Sequence, residues 1–144
     1  TKKKYVPYVI ETSMGIDRLV LVLLLDAYHE EMVRKEKRVV LKLNRDLSPI
    51  KIAILPLVRN KKEIVKKARE VYELLKPHFM SMYDDTGSIG RLYRRQDEIG
   101  TPYCVTIDFD TLKDKAVTIR DRDTMKQERI KIIELLDIFK KRLR

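Results

Sequence analysis

Ile52-Ala-Ile-Leu-Pro-Leu-Val58 is a short, continuous apolar run, the pattern of a strand covered on both faces. Downstream, Asn60 is placed to cap a helix while Glu63 reaches back to it, a capping-box arrangement with Asn in the first position. Ile64, Ala68, Val71, Tyr72 and Leu75 then share one helical face, and Pro77 marks the end. A second strand is predicted over 79–83. Asp84-Asp-Thr-Gly87 is a turn, and Ser88 caps a helix with Ile89, Leu92, Tyr93, Gln96 and Ile99 on one side. Gly100 and Pro102 stop that helix. Residues 103–109 alternate, so that Tyr103, Val105, Ile107 and Phe109 face one way. A short loop over 110–114 leads to a partner strand over 116–120, a hairpin. A last strand near 127–131 runs into a helix with Ile132, Leu135, Leu136, Phe139 and Leu143. The order βαβαβββα predicts an α/β fold: a five-stranded mixed sheet with three flanking helices.

Upstream of this unit the pattern differs. Tyr5-Val-Pro-Tyr-Val-Ile10 reads as a strand, with Pro7 suited to an edge. Glu11-Thr-Ser-Met-Gly15 is a turn, and a helix is expected from about Ile16 to Arg34. Its run Leu19–Leu25 is apolar nearly all round, which predicts burial. Residues 34–48 are a charged connection interrupted by Val39-Val-Leu41, and the domain boundary is placed there. The division is thus 1–45, a strand-turn-helix unit, and 46–144, the α/β unit.

Composition narrows the function. The 144 residues carry 32 Lys and Arg against 22 Asp and Glu, a net charge of +10. The excess is +4 over 1–45 and +6 over 46–144, so it is no disordered basic tail. Such a balance suits a polyanionic partner as well as it suits a merely basic surface. Cys104 is the single cysteine, which excludes an intrachain disulfide, and no Cys/His cluster has metal-ligand spacing. A reducing, cytoplasmic setting is expected. The longest apolar run has seven residues, against roughly 20 for a membrane span.

Two constellations could carry chemistry. In Val9-Ile-Glu-Thr-Ser-Met-Gly-Ile-Asp-Arg18 a strand, a small-residue turn and a helix start place Arg18 where phosphate oxygens are attracted. Glu11, at the strand end, suits an ammonium group. By residue chemistry alone a capped helix start with an Asp17/Arg18 surface pair stands ahead of that reading. The second constellation is Arg91-Leu-Tyr-Arg-Arg-Gln-Asp-Glu98 with Arg120-Asp-Arg-Asp123. Interleaved Arg and Tyr can hold phosphates and stack on bases; a solvated helix face with an Arg94–Glu98 pair is the plainer alternative.

Resemblance separates these alternatives. Residues 5–18 resemble motif 3 of class II aminoacyl-tRNA synthetases in its glycyl form, and 38–143 resemble the anticodon-binding domain of the glycyl, threonyl, prolyl and histidyl enzymes. Asp85-Thr-Gly-Ser-Ile-Gly-Arg-Leu-Tyr-Arg-Arg-Gln-Asp-Glu-Ile-Gly-Thr-Pro-Tyr103 and Val117-Thr-Ile-Arg-Asp-Arg-Asp-Thr124 look like the glycyl member in particular.

The resemblance implies that Glu11, Thr12, Ser13, Met14 and Gly15 line a glycine pocket, with Glu11 and Ser13 on the amino group. Gly15, Ile16, Asp17 and Arg18 would contact ATP. Thr12 stands where many relatives have Pro. Arg91, Arg94, Arg95, Arg120, Arg122 and Asp123 become the anticodon-binding candidates.

The implied chemistry is ATP- and Mg-dependent activation of glycine and its transfer to tRNA-Gly, resting on positioning and charge neutralisation rather than a side-chain nucleophile. No catalytic residue and no protein metal ligand is therefore expected. Motifs 1 and 2 are missing from these residues and the sequence opens on Thr1. A carboxy-terminal piece is expected, inactive and possessing no bound cofactor alone, monomeric where the full-length enzyme is a homodimer, and not membrane-bound. A competing expectation is a non-catalytic nucleic-acid-binding protein that reuses the domain, in the manner of a polymerase accessory subunit.

Overall fold

The computed structural model describes residues 3–33 and 35–143. The expected apolar strand is β3 (Ile52–Pro56), buried at every position. It lies second in a five-stranded sheet of order β4-β3-β5-β6-β7. β3 pairs in parallel with β4 (Ser81–Tyr83) and β5 (Tyr103–Ile107). β6 (Ala116–Asp121) and β7 (Gln127–Lys131) continue antiparallel.

Helix α2 (Lys62–Leu75) links β3 to β4, and α3 (Ile89–Ile99) links β4 to β5. The one-turn α4 (Thr111–Asp114) fills the connection expected as a plain loop. A 3-10 turn over Ile132–Glu134 leads into α5 (Leu135–Arg142).

The two faces of the sheet are covered unequally, and this asymmetry positions the site. On one side Ile52, Ile54, Val105, Ile107, Val117 and Ile119 meet Ile64, Ala68, Val71 and Leu75 of α2 and Leu135 and Phe139 of α5. Each fully buried aliphatic side chain there contributes about 1.5–3 kcal/mol. On the other side a smaller cluster sets Leu92 of α3 against Ala53, Leu55 and Cys104. Side chains alternate along a strand, so Thr118 and Arg120 of β6, and Arg129 and Gln127 opposite them, share the side away from Val117 and Ile119. Beyond α3 that side is polar.

Upstream, the expectations need three corrections. The helix is α1 (Ile16–Ala27), and the chain turns at Tyr28 into β1 (Tyr28–Val33), paired antiparallel with β2 (Glu36–Leu41). Residues 28–33 had been expected to stay helical. They pair instead because their charges have cross-strand partners: Glu30 with Lys37 at 2.8 Å, Glu31 with Arg38 at 3.0 Å and Lys42 at 2.6 Å. Arg34, the expected helix end, lies outside the described residues. Residues 5–10 form no strand, since no described neighbour supplies a ladder. The apolar run of α1 is exposed rather than buried, Leu21 by 57% and Leu25 by 68%.

The helix caps also differ in detail. Lys61, not Asn60, is the N-cap of α2, and no side chain caps it. Ser88 and Gly100 occupy the two cap positions of α3 as expected, Gly100 at φ 84°, but the Ser88 side chain makes no capping hydrogen bond.

Candidate functional site

The β1–β2 hairpin is fastened to α3 by a buried charge cluster. Arg38 is fully buried and donates from Nε to Asp97 Oδ2 at 2.8 Å, from Nη1 to Glu31 and from Nη2 to the Arg122 carbonyl at 2.6 Å. Arg120 grips the same carboxylate, Nη1 to Oδ1 at 2.8 Å and Nη2 to Oδ2 at 3.1 Å. Its guanidinium also lies over the Tyr93 ring, 4.8 Å from the centroid. Tyr93 in turn hydrogen-bonds Thr106 at 2.6 Å across to β5. The result is a rigid wall on the polar side of the sheet. Beside it runs a groove of about 480 Å³, bordered by Gly90, Arg91, Tyr93 and Arg94 of α3 and by Arg120 and Gln127 of the sheet.

The expected arginines are therefore not one surface. Arg91 is exposed and Arg94 half-buried, and both face the groove with Arg120 beneath them. Arg94 pairs weakly with Glu36 at 3.8 Å and Asp97 at 4.0 Å, not with Glu98. Arg95 turns away and holds Asp84 and Thr86 of the preceding turn. Arg122 is buried, with Nη1 on the Gly100 carbonyl and Nη2 on that of Leu43, both at 2.8 Å. With Asp123 it lines a separate groove of about 550 Å³ beside Lys42, Arg45 and Arg142. Glu11, Thr12, Ser13, Met14, Gly15, Ile16, Asp17 and Arg18 are all exposed, with Arg18 in the first turn of α1.

Sequence reasoning missed Gln127 in the groove wall and Arg129 behind it. Arg129 donates to Asp108 from Nη1 at 2.8 Å and to Asp114 from Nε at 2.8 Å. Only the pairing of β7 with β6 brings these residues together, and no local signal announces that. Burial pushes Asp108 up, but Arg129 and two bonds from Thr111 outweigh it and hold the carboxyl at about 2. This value lies below the ordinary 3.8, so the contribution to stability is fully present above about pH 4 and is lost as pH falls through about 2. Thermal melts of the wild type and Arg129→Gln should differ at neutral pH and converge toward pH 2. A gap constant over that range would show that Asp108 is not the titrating partner.

Other chemistry finds little support. Burial pushes the Cys104 thiol up to about 12, leaving it a neutral core group. Among the described residues no His, Cys, Asp and Glu group is placed to hold a metal ion, and no helix is long and apolar enough to cross a membrane.

A family model described as "Anticodon binding domain" matches residues 51–142. The chain is 57% identical over 136 residues to a protein of Alkaliphilus metalliredigens called glycine–tRNA ligase, covering 94% of the chain and 29% of that protein. A protein of the same name from Acetivibrio thermocellus is 56% identical over 140 residues, 96% of the chain and 30% of the relative. The chain thus spans about 30% of the length of these curated relatives. Among solved structures, the RNA binding domain of threonyl-tRNA synthetase from Cryptosporidium parvum superposes with a TM-score of 0.62 at 27% identity, covering 69% of this chain and 25% of that one. Prolyl-tRNA synthetase from the same organism gives 0.65 at 23% identity over 73% and 22%, a likeness of fold alone.

Proposed function

The chain belongs to the anticodon binding domain family, and on that premise we propose that it is part of a glycine–tRNA ligase whose α3 groove holds the anticodon loop of tRNA-Gly. The observation that carries this reading is the groove itself: two accessible arginines, Arg91 and Arg94, beside Tyr93 and the polar edge of β6 and β7. Exposed guanidinium groups engage phosphates, while polar strand edges and an aromatic wall meet unpaired bases. Arg120 and Arg122 have their donors committed to protein acceptors. Their part is to hold the groove walls, as Arg95 holds the turn before α3, and Asp123 in turn steadies Arg122. The hairpin lies upstream of a division at residue 45 but is bolted to the second unit by Arg38, and we place it with that unit.

The upstream stretch has the donor set for a nucleotide and an amino acid. Arg18 at a helix start suits phosphate, and Glu11 and Ser13 suit an ammonium group. When bound, ATP with Mg supplies the activated phosphoryl chemistry; these side chains bind and orient. The exposed apolar face of α1 is what a helix from the interior of a larger catalytic domain presents.

Binding of a tRNA-Gly anticodon stem-loop should weaken steeply with salt. Arg91→Gln and Arg94→Gln should each lower affinity several-fold and reduce the salt slope by about 0.7–1. Titrations at several salt concentrations check this. No binding by the wild type refutes the reading, and equal affinity for loops altered at the second and third anticodon bases removes base recognition from it.

A further inference from the structure

Phe109 lies two residues beyond the last residue of a fully buried strand, and alternation has it facing the same way as Ile107. It is nonetheless 48% exposed. The exposure is built in rather than a looseness of the loop. The Asp108 N–H donates to Thr111 Oγ1, while Asp108 Oδ1 accepts from the Thr111 N–H and hydroxyl at 2.8 Å. Arg129 then clamps Asp108, ahead of α4, and Asp114, its last residue. The ring is presented on a loop anchored at both ends, and pre-organisation of this kind lowers the entropic cost of binding.

Across a groove of about 360 Å³ from Phe109 and Leu112 stand Asn60, Lys61, Lys62 and Glu63, with the buried Ile64 beside them, so two cations face it against one carboxylate. Residues 59–69 (Arg59-Asn-Lys-Lys-Glu-Ile-Val-Lys-Lys-Ala-Arg69) hold six cations and one carboxylate. Lys67 pairs with Glu70 and Arg69 lies over the Tyr83 ring. Among the described residues Arg59, Lys61 and Lys62 join no salt bridge. Cations crowded at the start of a helix repel one another and the helix dipole, so helix stability does not account for them. An exposed aromatic ring rimmed by uncommitted cations is the equipment of a single-stranded nucleic-acid platform.

We propose that Phe109, Lys61 and Lys62 form a second nucleotide subsite, in which an unpaired RNA base stacks on the Phe109 ring and its flanking phosphates lie against the two lysines. The proposal rests on the RNA-binding reading above and extends it. α2 and α3 both begin at the carboxyl ends of parallel strands, β3 and β4. The new subsite and the Arg91 end of the α3 groove therefore lie at the same end of the sheet but flank its opposite faces, so a strand that engages both passes over that end. The charge of the rim selects a polyanion, and the single ring selects a flat base over an apolar peptide face.

The test uses the full chain with a tRNA-Gly anticodon stem-loop bearing 2-aminopurine at each loop position in turn. The wild type should quench at least one position on binding. Phe109→Leu retains an apolar side chain at a half-exposed site. It should abolish that quenching and weaken binding roughly five- to tenfold, with an unchanged melting temperature. Lys61→Gln with Lys62→Gln should lower the salt slope by roughly 1.4, about 0.7 for each lost phosphate contact. Wild-type affinity, slope and quenching in both variants, while Arg91→Gln and Arg94→Gln still weaken binding, would overturn the subsite and leave the α3 groove standing. Failure of the wild type to bind RNA would overturn both.

Discussion

Asp97→Ala should lower the stability of the domain by about 3–5 kcal/mol, read as a shift in the urea midpoint at neutral pH. The Asp97 side chain is 1% exposed, and it receives Arg38 Nε on one oxygen and both terminal nitrogens of Arg120 across the two. Guanidinium groups do not deprotonate in proteins. Removing the carboxylate therefore leaves two buried cations facing one another with donors unmet. Arg38 retains Glu31 and a backbone carbonyl, and Arg120 retains the face of Tyr93; these limit the loss without replacing the charge. Asp97→Asn keeps one acceptor and should fall between wild type and Ala. Asp123→Ala serves as the control, because Asp123 is 38% exposed and Arg122 still has two carbonyl acceptors without it. A loss below about 1 kcal/mol in Asp97→Ala would mean that water enters the cluster and that Arg38 and Arg120 need no buried partner.

The same cluster explains which features were readable from the chain. The run at β3, the single apolar face of α2 and the stop at Gly100 are local signals, and each produced the element it announced. Arg120 and Arg122 were singled out because a sequence displays charge and hides burial. Apart from the neighbouring Asp123 on Arg122, their acceptors lie 22 or more residues away, on Asp97, Gly100 and Leu43. The hairpin was hidden for a similar reason, since Glu30 and Glu31 find their partners only when the chain returns through Lys37, Arg38 and Lys42. The apolar face of α1 and the unpaired stretch before it misled in the opposite direction. Their pattern was that of buried elements, but no described residue covers them. Within the groove, Arg91, Tyr93 and Arg94 were legible as one helix face, whereas Gln127 depended on strand register.

Gly100→Ala should cost about 2–4 kcal/mol, from two sources. The first is conformational: Gly100 ends α3 at φ 84°, the left-handed region, where a Cβ costs roughly 1–2 kcal/mol. The second is steric. A Cβ at Gly100 would lie 3.0 Å from the Leu41 carbonyl oxygen, 3.1 Å from Leu43 Cδ1 and 3.2 Å from Leu41 Cβ. The nearest atom is backbone of β2 and has no rotamer through which to escape, so the strand itself must move, at about 1–3 kcal/mol for overpacking of this kind. That movement would pull on Arg122, which donates to the Gly100 carbonyl, and on Arg38 in the same strand. Hydrogen exchange should therefore show faster opening of the β2 amides than of β3, in addition to the lowered midpoint. Gly90→Ala is the contrast within the same helix. Nothing lies within 4 Å of its added Cβ, and Gly90 is the second residue of α3, so Ala there should cost nothing and gain at most the roughly 0.5–1 kcal/mol by which a helix interior favours Ala over Gly. A protein with Gly100→Ala as stable as wild type, with β2 exchanging no faster, would mean that the hairpin is not held against the end of α3 and that the groove lacks its fixed wall.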